Sequence, residues 1–323
     1  MTAPIELISR ALQGHKYSIA RLITLFEDPR AKTAAIRQTV LQSLERSDAG
    51  RKKGRILGVT GTPGAGKSTL TGALAIELLR RRPAWRIGVL AIDPASQVSG
   101  GAILGDRTRV NFPAHENRLF FRSQSAARQL GGVSRNTFQV SRLMERLFDL
   151  VIIETVGIGQ NEIEIQHIAD LSMLVLQPLA GDQIQFMKAG IMEIPDVFVI
   201  NKCDARREAL RSYHQLKSSL DFIRPGSSPT VHLFQTSATS GLGIAELAEY
   251  LQKSLPVISR DEQRRLQLQF ARWVESEYGQ SGLRLYERQV PYDQLISNAA
   301  FESAQIHFQS FFAANFIDKP GPG

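Results

Sequence analysis

Cysteine is almost missing from this chain: Cys203 stands alone among 323 residues, and the six histidines are scattered. An intrachain disulfide framework is thereby excluded, and no histidine or cysteine cluster has the spacing of a metal site. No apolar run approaches the roughly 20 residues that span a bilayer, and the first residues lack the basic, apolar and small-residue zones of a secretory signal. A cytoplasmic location is expected. Internal repeats and low-complexity tracts are also absent. What is present is the ordinary composition of a globular protein, 43% hydrophobic and 22% charged, which excludes a disordered or collagenous chain. The length suffices for a full α/β core with helical extensions at both ends. The charge of +8 would draw polyanions. However, Arg51-Lys52-Lys53 and Arg80-Arg81-Arg82 sit at element boundaries, and the C-terminal cations alternate with acids as on a solvated helix face. Neither nucleic acid nor a membrane is expected as a partner.

Apolar positions Ile5, Ile8, Leu12, Ile19, Leu22, Ile23, Leu25 and Phe26 follow a helical period, broken near Asp28-Pro29, so residues 1–50 read as an N-terminal helical extension. Short apolar runs then alternate with longer amphipathic segments. Strands are expected at 56–60, 87–92, 119–122, 150–154, 173–176, 197–200 and 231–235, the alternation of βαβ units in a mainly parallel sheet flanked by helices. This α/β domain is assigned to residues 51–256. Strand signals stop near Ser259. Leu266, Phe270, Trp273 and Val274 resume helical spacing, so 257–323 reads as a C-terminal helical arm, a possible dimerisation element.

Between the first strand and the helix after it lies Gly61-Thr62-Pro63-Gly64-Ala65-Gly66-Lys67-Ser68-Thr69, which fits GxxxxGK[ST] in the context that motif requires. The fold class expected is therefore a P-loop NTPase G domain. Glycines let successive N–H groups curl around phosphates, and the helix N-terminus adds its positive end. Lys67 reaches the β- and γ-phosphates, and Ser68 offers its hydroxyl to Mg²⁺.

The loop alone does not choose the base. Asn201-Lys202-Cys203-Asp204 follows an apolar strand, at the carboxyl edge where ligands of such sheets bind. There the Asp204 carboxylate can accept the N1 and N2 hydrogens of guanine, a pattern adenine lacks. Asn201 would brace the loop, and the Lys202 stem would lie against the ring. Thr236-Ser237-Ala238-Thr239 follows the next strand, where a backbone N–H can meet the guanine oxygen. GTP and GDP are the expected ligands.

The strand 150–154 runs into Glu154-Thr155-Val156-Gly157, the form of a loop that senses γ-phosphate through a glycine N–H, with glutamate where most GTPases carry aspartate. Ile158 follows that glycine, where hydrolysing GTPases often carry a glutamine that orients water. Gln160, two residues on, could substitute after a rearrangement.

Together these residues resemble the MeaB/ArgK family of P-loop GTPases, G-protein chaperones of adenosylcobalamin-dependent acyl-CoA mutases, over about residues 10 to 255. Asp93-Pro94 with Ser96, Ser99-Gly100-Gly101 and Leu104-Gly105-Asp106-Arg107 match the family's switch I. Glu154 to Glu162 match switch II, and Gly181-Asp182 through Gln185, Lys188 and Glu193 match a mobile segment used for partner coupling. Departures occur at Ala95 and Gln97 and across 122–132. The resemblance implies a slow GTPase, stimulated by its partner, that gates cofactor loading and protects a mutase of the methylmalonyl-CoA type. It also implies a homodimer. Catalytic candidates are Lys67, Asp93, Glu154 and Gln160; Ser68, Asp93, Asp106 and Glu154 are implied near Mg²⁺. Asp182, Gln185 and Lys188 are implied in partner coupling. Two other readings stand beside it: a metal-insertion GTPase, which would need thiol or imidazole ligands, and a kinase, which would need a phosphoacceptor site.

Overall fold

Among the described residues seven strands carry the apolar runs, and every pairing between them is parallel, in the order β3-β2-β4-β1-β5-β6-β7. They are β1 (Arg55–Gly61), β2 (Ile87–Asp93), β3 (Leu119–Ser125), β4 (Leu150–Glu154), β5 (Leu171–Leu176), β6 (Val197–Ile200) and β7 (His232–Gln235). A computed structural model describes residues 4–28, 30, 32–47, 53–93, 116–125, 135–155, 164–178, 195–223, 232–258, 261–288 and 301–316. Strands β1, β2, β4, β5 and β6 are buried almost throughout, which is why they read as continuous apolar runs without alternation.

Helices cover both faces of this sheet. On one face α4 (Lys67–Arg81) and α7 (Ile244–Ser254) set Leu70, Leu74, Leu78, Leu247 and Leu251 against Leu57, Val59, Ile152, Met173 and Val199. On the other, α6 (Arg206–Ile223) packs Ala209, Leu216 and Leu220 on Leu174, Leu176, Phe198 and Ile200. Each such side chain contributes about 1.5–3 kcal/mol by leaving water, so these layers hold the strand ends rigid. Because all strands run the same way, their carboxyl ends share one edge. The chain leaves β1 toward β2 on one side and returns through β4 to reach β5 on the other, which makes β1 the switch point of the sheet.

Contacts divide the chain into two units: 53–134 with 147–259 form the sheet unit, while 1–52, 135–146 and 260–323 form a helical one. The helical unit contains α1 (Pro4–Leu12), α2 (Lys16–Glu27), α3 (Lys32–Ser47), α5 (Arg135–Leu147) up to Arg146, α8 (Glu262–Arg288) and α9 (Phe301–Phe316). Helix α5 lies inside the 51–256 segment in sequence yet groups with the terminal helices. Its buried Arg142 bonds Glu302 of α9 at 2.5 Å, both side chains almost fully enclosed, and the guanidinium lies 4.9 Å from the Phe301 ring. Helix α8 breaks at Gly279, where φ is 63°, and Phe270, Trp273, Tyr278 and Tyr286 pack around Phe308 of α9. Among the described residues no helix is long and apolar enough to cross a membrane.

Candidate functional site

The phosphate loop joins β1 to α4, at the switch point. Gly61 has φ 142° and a Cβ there would lie 1.9 Å from the Val175 carbonyl oxygen of β5. Gly66, immediately before α4, has φ 81°, and its Cβ would sit 2.7 Å from the Asn201 amide nitrogen. Both positions admit glycine alone, for backbone conformation and for space. The result is a tight curl whose backbone N–H groups and helix N-terminus suit phosphate. Lys67, 7% exposed, donates from Nζ to the carbonyls of Gly61 (2.9 Å) and Thr62 (3.0 Å). Its ammonium is thus held over the curl by the loop's own backbone.

Ser68, next on α4, donates to Glu154 Oε1 at 2.5 Å. Glu154 ends β4 opposite Val59 of β1 and Ala91 of β2, and is 5% exposed. Asp93 ends β2, 2% exposed, and accepts a hydrogen bond from Ser123 of β3. The sheet order therefore brings Ser68, Glu154 and Asp93 to three adjoining element ends. All offer oxygen, the ligand type Mg²⁺ selects, and a hydroxyl already tied to a carboxylate is a fitting start for that ion. Among the described residues no group of three or more His, Cys, Asp or Glu converges as a metal site. Mg²⁺ retains several waters and needs only one or two protein carboxylates.

The second loop sits across the edge, after β6 and β7. Asn201 is 1% exposed. Its Nδ2 donates to Ala65 O at 2.8 Å, while its Oδ1 accepts from Thr236 Oγ1 at 3.1 Å and from the Ala238 N–H at 3.2 Å. One amide thus ties the phosphate loop, β6 and the segment after β7 together. Lys202 has φ 62°, the only described non-glycine residue in the left-handed region, so its stem leaves the strand direction and its Nζ donates to Gln177 at 3.3 Å. Asp204 is exposed and its Oδ1 accepts from Ser237 Oγ at 2.6 Å. Ser237 is fully buried; its Oγ also lies 3.1 Å from Thr239 Oγ1 and accepts from the Ser240 N–H at 3.2 Å. Cys203 is enclosed, with its Sγ 3.1 Å from the Ile200 carbonyl, and burial pushes its thiol pKa up.

Of the residues expected from sequence, the structure thus gathers the 61–69 loop, Asp93, Glu154, Asn201, Lys202, Asp204 and 237–239 along one edge. Asp106, Gly157, Gln160, Asp182, Gln185 and Lys188 lie outside the described residues. Ser123 and Gln177 were not foreseen. Ser123 carries no motif signal, because it reaches Asp93 only through the β2–β3 pairing, in which it stands opposite Ala91.

A parallel sheet whose switch point carries a phosphate loop, with a second loop bonded to it across the edge, defines the P-loop class of nucleotide-binding proteins. Within that class the chain belongs to the family described as the methylmalonyl-CoA mutase-associated GTPase MeaB, which matches residues 19–281. Family and fold together support guanine nucleotide binding and GTP hydrolysis. A Pyrococcus horikoshii protein named as a GTPase is 37% identical over 254 residues, 77% of this chain and 76% of its own. The Caenorhabditis briggsae protein named methylmalonic aciduria type A homolog, mitochondrial, is 33% identical over 284 residues, 83% of this chain and 68% of its own. Among solved structures, one titled LAO/AO transport system kinase superposes with a TM-score of 0.65 at 25% identity, covering 99% of this chain and 95% of that one.

Proposed function

We propose that this protein is a GTP-hydrolysing chaperone that gates cofactor loading of an adenosylcobalamin-dependent acyl-CoA mutase and protects that enzyme. Membership of a family described as mutase-associated carries the partner class. The observation that carries the chemistry is the Asn201 amide bonded to both the phosphate loop and the loop after β7. That bond makes one site of the base loop and the phosphate loop.

The reading assigns roles as follows. Backbone N–H groups of residues 61–69 and the Lys67 ammonium bind the phosphates, and Asp204, held by Ser237, accepts the guanine N1 and N2 hydrogens. Ser68, Glu154 and Asp93 would hold Mg²⁺, which when bound supplies neutralisation of the charge on the transferring phosphoryl group. The Lys202 stem lies against the guanine ring. Ile158 occupies the place of a water-orienting glutamine, so hydrolysis by the chain alone is slow, on the order of 10⁻⁴ to 10⁻² s⁻¹. The mutase, by binding one arrangement of residues 154–162 and of Asp182, Gln185 and Lys188 better than another, selects the competent loop state; Gln160 enters the site in that state. The protein acts as a cytoplasmic homodimer.

Single-turnover hydrolysis of GTP with and without a cognate mutase tests this, repeated with Asp182, Gln185 and Lys188 changed to alanine. Stimulation by the mutase that the triple variant lacks supports the reading. Rapid turnover alone, or equal stimulation of the variant, removes the switch and leaves a constitutive hydrolase. Transfer of labelled phosphate to an acceptor other than water would point to a kinase.

A further inference from the structure

Two threonines lie at the carboxyl ends of β1 and β4 beside the phosphate site, and both are buried. Thr60 precedes Gly61 on β1 and is 2% exposed, and Thr155 follows Glu154 and is 1% exposed. The surrounding level of the sheet is apolar: Val59 and Leu174, the latter opposite Thr60 on β5, are fully enclosed. Valine has nearly the same shape, suits a strand equally well and brings no hydroxyl to desolvate. The two hydroxyls are bonded to each other, Thr155 Oγ1 donating to Thr60 Oγ1 at 3.0 Å.

Their place in the chain gives the bond a consequence. The β1–β4 register ends at Val59 opposite Glu154. Past that pair, β4 is held to β1 by the Thr155 N–H on the Val59 carbonyl at 2.9 Å and by the hydroxyl pair. One residue before Thr155, the Glu154 carboxylate accepts from Ser68. One residue after Thr60, the Gly61 carbonyl accepts from Lys67. A strand end free to pivot would carry Glu154 away from Ser68.

We propose that Thr60 and Thr155 form a hydroxyl clasp that positions the Glu154 carboxylate on Ser68 and so sets the Mg²⁺ dependence of nucleotide binding and hydrolysis. The pair are positioning residues, acting through Glu154. The inference rests on the GTPase reading of the site and deepens it.

The test uses the full chain carrying Thr155→Val, Thr60→Val, both together, or Thr155→Ser. GDP affinity is measured in EDTA and across a Mg²⁺ titration, together with single-turnover GTP hydrolysis and thermal unfolding. Each valine variant should raise the half-saturating Mg²⁺ and slow hydrolysis by about three- to tenfold, the worth of one net hydrogen bond. GDP affinity in EDTA should stay within about twofold, since the loop backbone holds the phosphates. Thr155→Ser should restore both quantities, and the double variant should be no worse than either single one, as for two groups sharing one interaction. The clasp is overturned if folded valine variants keep wild-type Mg²⁺ dependence, or if the double variant shows the product of the two single losses. Should Thr155→Val not fold, Thr60→Val and Thr155→Ser carry the same expectations. A wild type that binds GDP with Mg²⁺ but hydrolyses no GTP sinks the hydrolase reading alone, because the Mg²⁺ titration still decides the clasp.

Discussion

Replacing Asn201 by alanine removes the one side chain that bonds to the phosphate loop, to Thr236 and to Ala238 at once. At 1% exposure water does not readily take its place. The Ala65 carbonyl loses a donor at 2.8 Å, while the Thr236 hydroxyl and the Ala238 N–H lose acceptors at 3.1 and 3.2 Å. Each buried group left unpaired costs about 1–3 kcal/mol, with partial relaxation making the sum less than additive. A total of about 3 kcal/mol follows, which lowers the unfolding midpoint by roughly 6–12 °C for a domain of this size. The same change uncouples the two loops, so GDP affinity should fall more than stability alone accounts for. Asn201→Asp is the sharper control: it keeps the acceptor but turns a carboxylate oxygen toward the Ala65 carbonyl, and should be worse than alanine. Thermal unfolding with and without saturating GDP measures both effects. An Asn201→Ala variant within about 0.5 kcal/mol of wild type and with unchanged GDP affinity would refute the bridging role.

Lys67→Ala should abolish measurable hydrolysis while the far-ultraviolet circular dichroism stays near wild type, because glycine conformations shape the loop; the lost bonds to the Gly61 and Thr62 carbonyls should lower stability by about 1–3 kcal/mol, and retained turnover would take Lys67 out of the active site. Glu302→Ala removes the carboxylate that neutralises the enclosed Arg142 guanidinium and should cost about 3–5 kcal/mol by chemical denaturation, and the apolar double change Arg142→Met with Glu302→Leu should recover most of it. Arg80 and Arg81 hold the Glu77 carboxyl down to about 2 from its ordinary 4.5. Because its folded pKa is depressed, the stability it gives is complete above pH 4.5 and is lost as pH falls toward 2. Wild type and Glu77→Gln should therefore differ by at most about 1 kcal/mol at neutral pH, given the exposed arginine partner, and converge on acidification.

The strands were legible because burial on both faces leaves continuous apolar runs such as Leu150–Glu154 and Val197–Ile200. The phosphate and base loops were legible because phosphates and guanine each demand a local pattern of residue types. Strand order left no such trace. The return of β4 between β2 and β1 sets Glu154 beside Ser68, and the β2–β3 pairing sets Asp93 beside Ser123; no local spacing encodes either. Helix α5 shows the same limit, since the charge that satisfies Arg142 lies 160 residues away on α9. Thr60 and Thr155 read as ordinary strand residues until the β1–β4 pairing brings their hydroxyls together.

Base choice tests the central claim most directly, because it depends on one carboxylate that Ser237 holds at the base loop. The measurement is competition of GTP, ATP and XTP for a fluorescent guanine nucleotide on wild type and on Asp204→Asn. Wild type should prefer GTP over both others, and the variant should lose GTP affinity and gain XTP affinity, since an amide can donate to the second carbonyl of xanthine where a carboxylate cannot. Unchanged GTP affinity in Asp204→Asn, or equal competition by ATP on the wild type, would contradict the account.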